Sequence, residues 1–522
     1  MFDLIITNGN VIDGTGAVSR RVDVGITGDR VTALGDLSAA ETSVTLDAQG
    51  LIVAPGFIDA HAHSDTYLLI EPDAPSKLAQ GITTEVNGQC GGSAAPRLGK
   101  AKLPSDWASR LGAKGPAWAT MAEYRVLFES VRPAINTVQF VGHNTLRAGV
   151  MGYEPREATA DEIAEMNRRL EQALDEGGWG LSTGLLYQPG KYATEAEVET
   201  LAQTTVRKGG MYASHIRNEG DTLLESVDEV LRLARATGIQ VQISHLKTAS
   251  PANWHKIDAL LTAINAARAE GLNVNADRYP YTAGGTDLDV VLPDWASAGG
   301  RDAILANLRD SATRLRIERE MDARGYDWAN VMLGGGWTAE TRAHSGQTVP
   351  EAARALGLTP AQLTCRFIDL DDTRTGAFFF GMSDANLLRI YAEPWVMPGS
   401  DASLRAPWGV LGDDHPHPRA YGTMPRFLRL MTADGHSIEE TIRRMTALPA
   451  ATFGLRDRGV LCQGAFADIA IFDPAAFRDT ATYAKPHSFA EGMRHVIVNG
   501  ALSYTHGAFT GNRGGRFLGG RE

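Results

Sequence analysis

Cysteine is scarce in this chain: Cys90, Cys365 and Cys462 are the only three in 522 residues. So odd and sparse a set does not form a disulfide framework, and a reducing compartment is expected. Long hydrophobic runs are missing as well. None approaches the roughly 18 residues that a bilayer-spanning helix needs, so no membrane partner is expected. The opening Met-Phe-Asp-Leu-Ile-Ile-Thr-Asn-Gly has no basic residue ahead of its short apolar stretch and fails as a signal peptide. A cytoplasmic protein is the expectation. Basic charge is in deficit too: 50 Lys and Arg against 62 Asp and Glu leave a formal net charge of -12. Phosphate contacts demand clustered cations, so nucleic acid is not an expected partner and a small-molecule substrate is. No fixed-period repeat and no low-complexity tract is present. Nothing in the residues specifies an oligomeric state.

What is there is an ordinary globular composition, 43% hydrophobic and 21% charged with 56 glycines. The length predicts one large domain with smaller satellites. Short strand-like runs separated by Gly9-Asn10 and Gly28-Asp29 turns fill the first fifty residues, and the same texture returns near the end around the Asn499-Gly500 turn. These flanks, 1–54 and 456–522, are expected to pair into one small β-sandwich. Between them, over 55–455, helical stretches at 160–176, 195–208, 223–237 and 254–271 alternate with apolar runs at 51–53 with 56–58, 83–86, 138–141, 210–213, 241–243 and 396–398. The alternation predicts a parallel α/β core and favours a closed (β/α) barrel over an open sheet. Residues 284–347 break it with acidic, helix-prone sequence and no clear strand, an insertion expected to cover the barrel mouth.

The metal-capable side chains fall directly after these apolar runs, on the catalytic face of a barrel. His61 and His63 follow Pro55-Gly56-Phe57-Ile58-Asp59-Ala60, and residues two apart in an extended chain point the same way. Cys90 follows 81–86 in a glycine-flanked turn, His215 ends 211–214, His245 ends 241–244 and Asp401 ends 397–400. A lone histidine in such a place is more often a hydrogen-bonded structural residue. Six together are the imidazole, thiolate and carboxylate donors that zinc takes.

With Gln89-Cys90-Gly91, Gly142-His143-Asn144, Leu181-Ser182-Thr183-Gly184, Ser214-His215-Ile216-Arg217-Asn218-Glu219, Ser244-His245-Leu246-Lys247, Tyr279-Pro280-Tyr281, Gly399-Ser400-Asp401 and His417-Pro418-Arg419, the chain resembles the amidohydrolase superfamily. Within it, the resemblance is to the N-acyl-D-amino-acid deacylases, over nearly the whole length. It implies a TIM-like (β/α)8 barrel with a small β-sandwich made from both chain ends. It implies zinc held tightly by Cys90, His215 and His245, with His61, His63 and Asp401 forming a second, weaker site. The expected activity is hydrolysis of the amide of an N-acyl-D-amino acid to a carboxylate and a free D-amino acid. Asp401 is then the natural proton shuttle. Arg419 matches the family's carboxylate-binding arginine, which offers a planar fork; Lys247 is a second carboxylate contact, and Tyr187 and Tyr281 match tyrosines near the substrate.

Neighbouring activities are hydrolysis of L-Xaa-D-Xaa dipeptides and, disfavoured by Cys90, of cyclic amides as in dihydropyrimidinases. A non-catalytic scaffold would lack ligands, and none is lacking. His143 is a pocket or a structural residue on equal terms. His415 and His417, alternating with prolines, belong to an ordered loop that delivers Arg419. Three departures from the family pattern, Gln89, Glu85 and Leu186, bear on substrate preference rather than on metal chemistry.

Overall fold

The computed structural model describes residues 1–101 and 117–520. Its centre is a ring of parallel strands: Phe57–Asp59 (β1), Ile82–Asn87 (β2), Asn136–Gln139 continued by Val141–Gly142 (β3), Gly180–Gly184 (β4), Met211–His215 (β5), Val241–Ile243 (β6), Val274–Arg278 (β7) and Val396–Pro398 (β8). Each pairs in parallel with the next. The ring closes where Ala60 N donates to Pro398 O and Ala62 bridges Ala402. Side chains alternate along the strands: Ile58, Val86, Val138, Met211 and Met397 fill the barrel interior, whereas Phe57, Ile82, Tyr212 and Val396 belong to the core outside it.

Those helices begin where the sequence offers a cap. Thr159 and Thr194 accept backbone N–H groups at the starts of Ala160–Asp175 and Glu195–Arg207. Leu223–Thr237 buries Leu223, Val227, Val230, Leu231 and Ala234 at helical spacing and stops at Gly238, whose φ of 70° is the left-handed cap.

Two sheets flank the barrel. One joins Phe2–Thr7, Asp23–Thr27, Arg30–Gly35 and Thr42–Asp47; the other is seven-stranded and sets Ile52–Pro55 between Asn10–Val11 and Ile469–Phe472. They share a core that includes Leu4, Val24, Ile26, Val53, Ile469 and Ile497, so the chain's two ends form one sandwich. Of the apolar runs 51–53 and 56–58, the first thus lies in the sandwich and the barrel opens with Phe57–Asp59.

Two barrel strands were not expected. β4, Gly-Leu-Ser-Thr-Gly, begins and ends on glycine, and at Gly184 this is because the Cys90 turn presses on it: a Cβ there would lie 2.1 Å from the Cys90 carbonyl oxygen. In β7, Val-Asn-Ala-Asp-Arg carries buried polar groups that serve the site above it. The excursion after β7 also contains strands. Ala283–Asp287 pairs antiparallel with Gly376–Phe380, which pairs with Val331–Leu333. It has its own core with Leu288, Ile304, Phe367 and Ile368, and runs to Phe380 rather than ending near 347.

Candidate metal centre

Every expected ligand lies at the carboxyl end of a barrel strand. Three of them have left-handed backbone: Cys90 at φ 53°, His245 at φ 36° and Asp401 at φ 49°. Such a residue costs on the order of 1 kcal/mol and persists only where its surroundings hold it. Here they do. Asp401 N donates to His61 O at 2.8 Å, His245 N donates to Asp277 Oδ1 at 2.9 Å, and Gly91 N, beside Cys90, donates to Ser182 Oγ at 3.2 Å. Buried Asp65 accepts from Gly88 N and Ala94 N, bracketing the Cys90 turn.

The side chains converge on one point. Cys90 Sγ lies 3.4 Å from His61 Nε2 and 3.4 Å from His245 Nε2. Asp401 Oδ1 lies 3.4 Å from His61 Nε2 and 3.0 Å from His63 Nε2. The donor atoms of His61, Cys90, His245 and Asp401 all fall within 4.8 Å of one another. His215, 3% exposed, adjoins this group, and neither of its ring nitrogens has an aligned hydrogen-bond partner. A buried polar group left in that state costs about 1–3 kcal/mol, so a nearly closed imidazole of this kind fits a ligand. With thiolate, imidazole and carboxylate together, the residues present fit zinc.

Their electrostatics agree. Burial pushes the Cys90 thiol up, but His61, His245 and His215 outweigh it and hold the thiol well below its usual range. Burial likewise raises the Asp401 carboxyl, and is overcome by the Arg419 guanidinium, His245, His63 and His61, so it stays well below the usual carboxylate range. In return the imidazoles rise despite burial, His63 to about 9 through Asp401 and Cys90, and His245 to about 10 through Glu219, Cys90 and Asp401.

Beside this cluster stands a cationic one. Arg419 Nη1 lies 2.8 Å from Asp401 Oδ2, and its Nη2 donates to Gly285 O at 3.2 Å. Lys247 Nζ is ion-paired with Glu219. The Tyr279 ring sits between them, with Arg419 Cζ 4.6 Å, Arg278 Cζ 4.1 Å and Lys247 Nζ 5.8 Å from its centroid.

Residues 44–504 match the amidohydrolase family. This chain is an amidohydrolase. It is 40% identical over 520 residues, 99% of this chain and 96% of the relative, to N-acyl-D-glutamate deacylase of Alcaligenes xylosoxydans xylosoxydans. To D-aminoacylase of the same organism it is 37% identical, covering 99% of this chain and 97% of that one. Among solved structures, N-acyl-D-glutamate deacylase from Bordetella bronchiseptica, complexed with zinc and a phosphonate inhibitor mimicking the tetrahedral intermediate, superposes with a TM-score of 0.85 at 36% identity over 99% of both chains. The chain thus belongs with the N-acyl-D-amino-acid deacylases of the family.

In this amidohydrolase Tyr187 stacks edge-on to His215 with centroids 4.8 Å apart, next to the cluster. Tyr281 does not reach it. Its ring packs against His417 and Arg426, and its hydroxyl points at Gly422, so the tyrosine facing the cations is Tyr279, two residues earlier. His417 Nε2 donates to Ala283 O at 3.0 Å and its Nδ1 accepts from Arg419 N at 3.0 Å, which joins the excursion to the loop that delivers Arg419. His415 Nε2 donates to Tyr483 O. His143 is fully buried against Glu197, with Nε2 2.8 Å from Oε1.

Of the departures, Glu85 is explained: it lies 3.2 Å from Lys77 Nζ, which also meets Asp59 at 2.9 Å and Ser400 Oγ at 3.2 Å, tying β1 to the segment that carries Asp401. Gln89 is buried with neither amide atom partnered, and Leu186 is 38% exposed. Sequence reasoning missed the groups behind the ligands. Asp277 lies 3.2 Å from His61 Nδ1, and Glu219 lies 2.9 Å from His245 Nδ1. A polar residue at a strand's end was the signal for the ligands, and it would have found Asp277 had β7 been recognised. Glu219 sits in a loop where no periodicity marks it.

Proposed function

We propose that this amidohydrolase hydrolyses the amide bond of N-acyl-D-amino acids, giving a carboxylate and a free D-amino acid. Cys90, His215 and His245 hold the tighter zinc, and His61, His63 and Asp401 form a second, weaker position. The observation that carries the reading is the contact of the two clusters: a metal-ligating group shares Asp401 with a guanidinium suited to a carboxylate. When bound, zinc supplies Lewis acidity, making water acidic enough to attack at neutral pH and polarising the scissile carbonyl. The rest falls to side chains. Arg419, with Lys247 beside it, takes the substrate's carboxylate and fixes the amide over the cluster. Asp401, ionised before attack, accepts the proton that water loses and delivers it to the leaving nitrogen, which departs poorly as an unprotonated anion. Capture of the substrate carboxylate by Arg419 draws a cation away from Asp401, so the base strengthens as substrate seats. The excursion 283–380 closes the mouth, since its Gly285 carbonyl meets Arg419 and its Thr286 meets Tyr187.

The test is amine release from a panel of N-acetyl-D- and N-acetyl-L-amino acids, L,D-dipeptides and hydantoins with the zinc-replete protein. Turnover of the N-acetyl-D series is expected; turnover confined to hydantoins refutes the reading.

A further inference from the structure

Glu219 stands where the metal-ligating and cationic clusters meet. Its Oε1 lies 2.9 Å from His245 Nδ1 and is ion-paired with Lys247 Nζ, while its Oε2 lies 3.9 Å from His215 Nε2. Lys247 Nζ is itself 2.8 Å from the same His245 Nδ1. A neutral imidazole carries one N–H and one lone pair, and its surroundings decide which nitrogen has which. Were the ammonium to donate to Nδ1, the ring proton would be forced onto Nε2, the nitrogen 3.4 Å from Cys90 Sγ. A protonated Nε2 cannot bind a metal there. With Glu219 in place, the Nδ1–H and the ammonium both donate to one carboxylate oxygen, and the Nε2 lone pair is left for the cluster.

His61 has no such contest. Its Nδ1 faces Asp277, whose oxygens also take the Gln242 amide and the His245 backbone N–H. The donor atoms of His215, Glu219 and His245 also lie within 4.8 Å of one another, but the ammonium of Lys247 already neutralises that side.

We infer that Glu219 is a positioning residue that selects the Nδ1–H tautomer of His245 against the competing ammonium of Lys247. The inference rests on His245 being a zinc ligand. It makes a prediction that a merely structural role does not: removing the competitor repairs the damage.

The experiment measures zinc affinity of the full chain by competition with a chromophoric chelator near neutral pH, with folding followed by circular dichroism. Glu219→Gln keeps the shape, loses the charge and weakens zinc binding by about 10–100-fold. Lys247→Met alone leaves affinity near that of the parent. The double variant recovers most of the loss, because no ammonium remains to claim Nδ1. Losses that add in the double variant, or an unchanged affinity in Glu219→Gln, overturn the inference. Should Glu219→Gln fail to fold, the double variant is compared with Lys247→Met: equal affinities support the inference, and a further drop of about tenfold, the loss expected of a metal-orienting partner, overturns it. His245→Ala separates the two levels. If it retains tight zinc, the ligand assignment falls and takes this inference with it; if it loses zinc while Glu219→Gln does not, only the inference falls.

Discussion

Two buried triads in this amidohydrolase are built from the same parts. In one, Glu197 Oε1 meets His143 Nε2 at 2.8 Å and Arg147 Nε at 3.1 Å. In the other, Glu219 Oε1 meets His245 Nδ1 at 2.9 Å and pairs with Lys247. Each sets an imidazole and a cation on one carboxylate oxygen, with the Glu197 side chain 1% and the Glu219 side chain 14% exposed. They differ in what the second ring nitrogen faces. His143 Nδ1 is buried with no polar partner, whereas His245 Nε2 faces Cys90 Sγ within the donor cluster. A histidine–carboxylate–cation triad is therefore not a site in itself. It becomes one where the far nitrogen opens onto groups that can share a ligand.

The comparison breaks most visibly at turnover. Asp401→Asn, on the side of the second triad, is expected to lower kcat by about 10²–10⁴-fold, the usual contribution of a positioned acid–base group, with the tightly held zinc retained by metal analysis. Near-normal turnover would remove the shuttle role. Glu197→Gln, in the first triad, leaves kcat per folded molecule where it was.

A smaller effect separates clamp from scaffold. Arg419→Lys keeps the charge but loses the planar fork, and should raise KM roughly tenfold to hundredfold, the worth of one or two charge-assisted hydrogen bonds. An analogue with its carboxylate converted to an amide should lose most of the difference between parent and variant. If it does not, Arg419 serves something other than the carboxylate.

Paired alanine substitutions set the histidines directly against each other. His245→Ala should lose tight zinc. His143→Ala should keep it and lower the unfolding free energy by about 1–3 kcal/mol, because it strips a partner from a buried carboxylate. Zinc loss on His143→Ala would place that residue in the site.

The gentlest probe is pH. Without metal, His245 titrates at about 10 and His63 at about 9, so both are charged at neutral pH, yet a ligating imidazole must be neutral. Zinc binding should release protons at pH 7 and tighten as pH rises towards about 10, where His245 gives up its proton. Calorimetry in buffers of different ionisation enthalpy measures the release, and none would mean that the rings already stand neutral.

Much of this was legible beforehand, for an identifiable reason. A ligand that follows an apolar run needs no tertiary information to be noticed, and His61, His63, Cys90, His215, His245 and Asp401 all do so. Helices with apolar residues three and four apart were equally plain. What stayed hidden was whatever the site had altered. β4 ends in Gly184 so that the Cys90 turn can approach, and β7 carries Asn275, Asp277 and Arg278 in buried positions that strands usually give to apolar residues. Tyr281 and Tyr279 look alike in a row of letters, and only the bend after β7 turns one towards the cations and the other towards Gly422.

By itself, then, the sequence determined the barrel, the sandwich made from the two chain ends and the inventory of ligands, because burial periodicity and donor chemistry are local properties of a chain. The tertiary structure alone decided the pairings: Lys77 with Glu85 and Asp59, Asp277 behind His61, Glu219 between His245 and Lys247, and Arg419 on Asp401. A charge taken out of water must find its partner wherever the fold brings one, and these partners lie as far as 216 residues apart along the chain.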